Sequence, residues 1–255
     1  MKEHLGRETI PANPHNFIPL TPRDVVLTDI ELDPARPRSV YEDSASGERY
    51  VQIMDKNHLG QNNYPLGQAV ISMCGKGALK VSGAVPIHTP DGRTVIASRI
   101  IKLEETQPTG ENFSKDVNAE RWILRHIFGD ADHLASTENN LHTTPNGQYA
   151  WFDYAQGADN FFFLGSEIYQ NNILRAQEDG IAPLVLHKLQ QLERQISDPR
   201  FITSIFERIT KHFPDKRMSD MFYDSEGKTP ADFQQLSLSR TRSAIQQLQA
   251  LPEVY

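Results

Sequence analysis

Apolar positions change their spacing near the middle of the chain. Before residue 104 the apolar runs are short and strand-like. Val25-Val26-Leu27 is a brief run between prolines. Residues 39–42 and 49–54 are rich in β-prone residues and flank the polar stretch Asp43-Ser44-Ala45-Ser46-Gly47, which predicts a hairpin. Residues 64–74 (YPLGQAVISMC) predict a short helix, with Pro65 in its first turn and Leu66, Ala69, Val70 and Met73 on one face. Ala84-Val85-Pro86-Ile87 and residues 94–101 flank Pro90-Asp91-Gly92-Arg93, a turn signal that predicts a second hairpin. Residues 104–114 are polar, contain Pro108 and Gly110, and read as a hinge.

Beyond the hinge the period becomes helical. Val117, Trp122, Ile123, Ile127 and Phe128 fall on the inner face of a helix over 116–128 that Gly129 ends. A small hairpin follows, with residues 140–143 and 149–152 flanking Pro145-Asn146-Gly147. The rest reads as helix. Val185, Leu189, Leu192 and Ile196 form one stripe. Asp198-Pro199 starts the next helix, with Ile202, Ile205, Phe206, Ile209 and Phe213 inward, and Pro214 stops it. Thr229-Pro230 starts a last helix carrying Phe233, Ile245, Leu248 and Leu251. Prolines 11, 14, 19 and 22 make the first residues an irregular arm. The expected architecture is therefore α+β. The arm covers 1–23, a β-rich N-terminal lobe 24–103, the hinge 104–114, and a mainly helical C-terminal lobe with one hairpin 115–255.

Composition narrows the function classes. Hydrophobic residues at 38% and charged residues at 23% of 255 describe a globular chain that can bury a core. A net charge of -7 argues against non-specific nucleic-acid binding, which needs a basic surface. Cys74 is the single cysteine, so an intrachain disulfide and a cysteine-based zinc site are excluded and a reducing compartment is expected. The first residues, MKEHLGRETIPANPHN, hold no apolar stretch of signal-peptide length, and nowhere do about 18 apolar residues run together. The expectation is a cytoplasmic protein without a membrane span, or a bacterial protein delivered into a host cytosol.

The densest chemical signal is Gly129-Asp130-Ala131-Asp132-His133, then Glu138-Asn139-Asn140, the small hairpin, and Asp153 in Trp151-Phe152-Asp153-Tyr154. A turn at residues 145–147 folds Asp153 back beside the segment that precedes Asn139. Phosphoryl transfer uses such a set. One carboxylate orients the acceptor hydroxyl, while a second carboxylate and an amide oxygen hold a hard cation against the phosphates.

These residues, with the preceding Ile123-Leu124-Arg125-His126-Ile127-Phe128, carry a resemblance. They are similar to the core of atypical kinases of the HipA and phosphatidylinositol 3-/4-kinase-like group. That group shows D-[RH]-x-x-x-N, a hairpin, and a strand ending apolar-apolar-Asp-aromatic. The resemblance implies a two-lobed protein-kinase-like fold and transfer of a phosphoryl group from ATP to a hydroxyl of a protein, a phosphoinositide or a small molecule. It implies Asp132 as the catalytic residue, and Asp153 with Asn139 or Asn140 as ligands of Mg²⁺ or Mn²⁺. It sets residues 50–56 beside the strand that bears the ATP lysine, which makes Lys56 the candidate for the nucleotide phosphates. It sets 66–73 beside the small-lobe helix and 97–101 beside the strand entering the hinge. The match covers about residues 120–155 at motif level and, through lobe order, about 40–250.

Departures from that pattern keep other classes open. Gln52 and Ile53 stand at the strand positions where the lysine is expected, Gln68 stands in the helix in place of an acidic residue, and only Ser44-Ala45-Ser46-Gly47 could serve as a phosphate loop. A pseudokinase acting as a binding or regulatory module is the second reading. A metal-dependent phosphohydrolase using His126, Asp130, Asp132, His133 and Asp153 is the third. The structural readings are that His126 and His133 fix the loop and that Cys74 is packed. Residues 161–164 then form core beneath the site, and Gly75-Lys76-Gly77 with Lys80 and Gly83 is a solvated turn.

Overall fold

The computed structural model describes residues 23–29, 39–56, 62–75, 78–79, 84–100, 114–130, 141–143, 149–151, 155–163 and 167–251. Three strands come first: β1 (Arg23–Leu27), β2 (Val40–Asp43) and β3 (Arg49–Gln52). Helix α1 (Pro65–Gly75) precedes β4 (Ala84–His88) and β5 (Thr94–Ile100). Both expected hairpins form, and the five strands go further and close into a barrel of order β1-β2-β3-β5-β4. A parallel pairing of β1 with β4 closes it, Arg23 opposite Ile87 and Asp24 opposite His88. The strand predicted over 49–54 ends at Gln52, where β3 lies opposite Ala97 of β5. The pleat sends Val25, Tyr41, Tyr50, Ile87 and Ala97 into one barrel cluster. Ala84 and Ile96, one position out of phase with their strand neighbours, join the larger core instead. At one rim Glu48 accepts from Arg23 at 2.8 Å and from the Tyr50 hydroxyl at 2.6 Å. Its other oxygen pairs with Arg99 at 2.5 Å, so one carboxylate fastens three strands.

The expectation of a one-faced α1 is overturned. Every residue of this helix except Met73 is buried. The reason is position: α1 packs on β4 and β5 and also on α3 (Ala155–Asn160) and α6 (Pro199–His212). A helix apolar on all sides is stable only when enclosed. Gly67 marks the closest approach, since a Cβ there would overlap the Met221 carbonyl oxygen and come within 2.9 Å of Ala158 Cβ.

The remaining elements are α2 (Lys115–Phe128), β6 (Leu141–Thr143), β7 (Tyr149–Trp151), α4 (Glu167–Glu178), α5 (Ala182–Ile196) and α7 (Pro230–Gln249), with a 3₁₀ turn at Met218–Asp220. Ser114 caps α2 by accepting from the Val117 amide at 3.3 Å. Gly129, at φ 76°, ends it and lets the amides of residues 129 and 130 bond the Arg125 and Leu124 carbonyls. Asp198 caps α6, and Thr229 with Asp232 forms a capping box on α7. The predicted stripes are core: Val185, Leu189, Leu192 and Ile196 are fully buried, and the named positions of α2 are buried. Phe161 is buried too, but Phe163 is 63% exposed because the chain turns outward after α3, which corrects the expectation of an apolar core run there. Of the expected arm and hinge, Arg23 begins β1 and Ser114 caps α2. The rest of both, and the Lys76–Gly77 and Lys80–Gly83 stretches, lie outside the described residues.

One ion cluster joins α2 to α5. Glu120 is fully buried and meets Lys188 Nζ at 2.7 Å, and Asp116 meets the same nitrogen at 3.0 Å. Burial alone would lower the Lys188 pKa, but the two carboxylates outweigh it and raise it. This stabilisation is therefore complete below the ordinary lysine range and is lost as pH climbs through the raised pKa. Lys188→Met is expected to destabilise the chain by about 3–5 kcal/mol, because Glu120 loses its facing ammonium. Gly67→Ala is expected to destabilise by about 1–3 kcal/mol despite the better helix propensity of alanine. Urea midpoints of the two variants against the wild type, at unchanged m, check both.

Candidate functional site

The segment that carries the predicted chemistry lies between α2 and α3, and its two ends are held together. Asp130, just past the end of α2, is fully buried. A Cβ on Gly157 of α3 would stand 3.4 Å from its Oδ2 and 2.9 Å from Ile71 Cδ1, so the glycine makes room for that carboxylate. Asn160 Nδ2 donates to the Gly129 carbonyl at 3.2 Å. Arg240 of α7 completes the closure. Its Nη1 donates to the Ile127 carbonyl at 3.0 Å and its Nη2 to the Phe161 carbonyl at 2.8 Å. The guanidinium also lies over the Phe161 ring, 4.9 Å from its centroid. Between these anchors β6 and β7 pair with Leu141 opposite Trp151 and Thr143 opposite Tyr149.

Asp132, His133, Asn139, Asn140 and Asp153 lie outside the described residues. Their flanks are described. Residues 131–140 connect Asp130 to Leu141, and residues 152–154 connect Trp151 to Ala155. Leu141 pairs with Trp151 in the hairpin register, and Asp130 lies against α3. The two segments that carry the candidate ligands therefore share both pairs of anchors.

Lys56 is described and exposed. It stands beyond the end of β3, in an isolated antiparallel bridge with Asn62. Gln68 is buried in α1 and its Nε2 donates to the Asn63 carbonyl at 2.7 Å. β3 (RYVQ) contains no lysine and α1 (PLGQAVISMCG) no carboxylate, so these two elements hold no lysine–carboxylate pair.

His126 is buried and stacks on Trp122 with ring centroids 4.1 Å apart. Burial first, then the charges of Arg240 and Arg125, pull its pKa down to about 3, so it is a neutral packed ring at neutral pH. Cys74 is packed in the core, and burial pushes its thiol pKa up. Among the described residues no group of three or more His, Cys, Asp or Glu is arranged to hold a metal ion.

A cavity of about 140 Å³ opens where the barrel meets the helices, bounded by Gln52, Asp55, Leu66, Thr94, Phe213 and Lys216 among others. It sits at the Thr94 end of β5, whereas the hinge segment follows the Ile100 end. At about 3.3 Å per residue those ends are roughly 20 Å apart. Sequence reasoning missed this cavity because its walls come from five separate stretches, each ordinary by itself.

Comparison of the chain with protein-family models, with curated proteins and with solved structures finds no match. No helix among the described residues is long and apolar enough to cross a membrane.

The depressed pKa of His126 sets an acid sensitivity. Between about pH 6.5 and 3 the unfolded chain binds a proton at this ring that the folded chain does not, so stability falls as pH falls through that window. The expected loss is about 3 kcal/mol between pH 7 and pH 4. His126→Phe keeps an aromatic ring against Trp122 and is expected to reduce the fall by that amount, measured as urea midpoints at both pH values.

Proposed function

We propose that the chain is an ATP-dependent phosphotransferase of the atypical-kinase type, acting on a hydroxyl group of a protein, lipid or small molecule. The observation that carries this reading is the shared anchoring of residues 131–140 and 152–154, enforced by Arg240, Gly157 and the β6–β7 pairing. In this reading Asp132 orients the acceptor hydroxyl. Asp153 with Asn139 or Asn140 holds Mg²⁺ or Mn²⁺, a donor set of oxygens that suits a hard cation. When bound, the ion offsets the charge of the triphosphate. The element order supports the reading as well: β3, then α1, then β4 and a β5 that pairs with β3 and leads to residues 104–114. This is the order the motif resemblance implies for a small lobe.

The exposed Lys56 and the buried Gln68 favour a second reading, a nucleotide-binding module without transfer, since kinases place a lysine–glutamate pair between these elements. Thermal unfolding with ATP, with and without Mg²⁺ or Mn²⁺, together with transfer of radiolabelled phosphate, separates the two. A metal-dependent rise in Tm with turnover supports the enzyme, a rise without turnover supports the module, and no rise sinks both. Asp153→Ala is expected to lose the metal-dependent rise. Asp132→Asn is expected to keep it and to lose transfer by about 100-fold or more.

A further inference from the structure

The cavity at the junction of barrel and helices is built of two unlike parts. Its floor is apolar. Leu66 of α1 and Ile96 of β5 are buried there, and Phe213, just past α6, is half-buried against the same core. Its rim is polar and includes Gln52, Asp55 and Lys216. The volume of about 140 Å³ is close to the roughly 150 Å³ that holds one benzene molecule in an engineered apolar cavity. An apolar body of about that size therefore fits.

Main-chain bonds fix where the rim groups stand. The Ile53 amide donates to the Ile96 carbonyl at 2.9 Å, which carries the line of β3 one residue past Gln52. The Asp55 carbonyl then accepts from the Asn63 amide at 2.9 Å, and Lys56 bridges Asn62. The Asp55 backbone is thereby held, while its side chain is exposed and, among the described residues, makes no hydrogen bond or ion pair. The other rim groups are engaged. Lys216 Nζ meets Asp220 Oδ1 at 3.8 Å, and the second Asp220 oxygen accepts from the Arg217 amide at 2.8 Å. Gln52 Oε1 accepts from the Tyr41 hydroxyl at 3.3 Å. Asp55 is thus the rim charge without a counter-ion, and it stands beside an apolar floor. An anion is repelled by this arrangement, and a neutral apolar molecule gains the floor alone. A protonated amine on a short apolar body gains both.

We propose that this cavity binds a small organic ammonium ion, its apolar body on Leu66, Ile96 and Phe213 and its nitrogen donating to the Asp55 carboxylate. The site uses neither nucleotide nor metal and none of the residues assigned to phosphoryl transfer, so it stands or falls separately from that reading.

The test is an amide NMR titration of the full chain with 3-methylbutylammonium chloride, free of metal and nucleotide, against sodium chloride at the same ionic strength. Saturable shifts are expected at the amides of residues 52–55, 94–96 and 213–220, with a Kd in the millimolar range. 3-Methylbutanol keeps the body and replaces the charge by a hydroxyl, and is expected to bind about fivefold more weakly. Methylammonium keeps the charge without the body and is expected to bind about tenfold more weakly or worse. Asp55→Asn is expected to weaken ammonium binding about fivefold and to leave alcohol binding and the urea midpoint unchanged, because the side chain is exposed. Asp24→Asn, equally exposed but on β1 and outside the cavity lining, is expected to change none of these. Four results overturn the proposal: no saturable shift, saturable shifts confined to other residues, an alcohol that binds the wild type as tightly as the ammonium, or an Asp55→Asn chain that still prefers the ammonium.

Discussion

Enclosure of α1 is the constraint on which the rest of the structure depends. A helix with no solvent face must be matched by apolar surface all round, and here a barrel supplies one side and helices the other. Ala84 and Ile96 turn away from the barrel interior to meet it, and Ala158 comes close on the opposite flank. The same enclosure explains the side-chain chemistry of the helix. A carboxylate buried at this position would be desolvated unless a cation came with it. Gln68 is the neutral solution, and its Nε2 donates to the Asn63 carbonyl. The helix that joins the barrel to the other helices thus carries no carboxylate.

A second device acts on the stretch between α2 and α3. Loop closure is an entropic penalty that grows with the length between fixed ends. The Arg240 guanidinium meets that penalty outside the loop, by bonding one carbonyl on each side of it and covering the Phe161 ring. Asn160 and the gap left by Gly157 add further contacts at the same junction. The polar signal read in the sequence therefore falls on a stretch whose ends are pinned to the core.

What the sequence revealed follows the range of the interaction. Stripes such as Val185–Leu189–Leu192–Ile196 depend only on a helical period, and they proved to be core. Caps at Asp198 and Thr229 are equally local. Barrel closure was not legible, because it rests on a parallel pairing of Arg23 with Ile87 that no local pattern encodes. All-round burial of α1 was missed for the same reason. Glu120 belongs to the residue type most often found at the surface, and Lys188, 68 residues away, helps make its burial tolerable. In the candidate site the spacing of acids and amides was visible, and so was the hairpin. The clamp from Arg240 was not, because its carbonyl partners lie 113 and 79 residues away and carry no side-chain signature.

The Arg240 clamp bonds two main-chain oxygens, so that part of its hold is indifferent to which amino acids fill the stretch between them. A lineage can rewrite that stretch, and with it the chemistry presented there, without renegotiating the scaffold beneath.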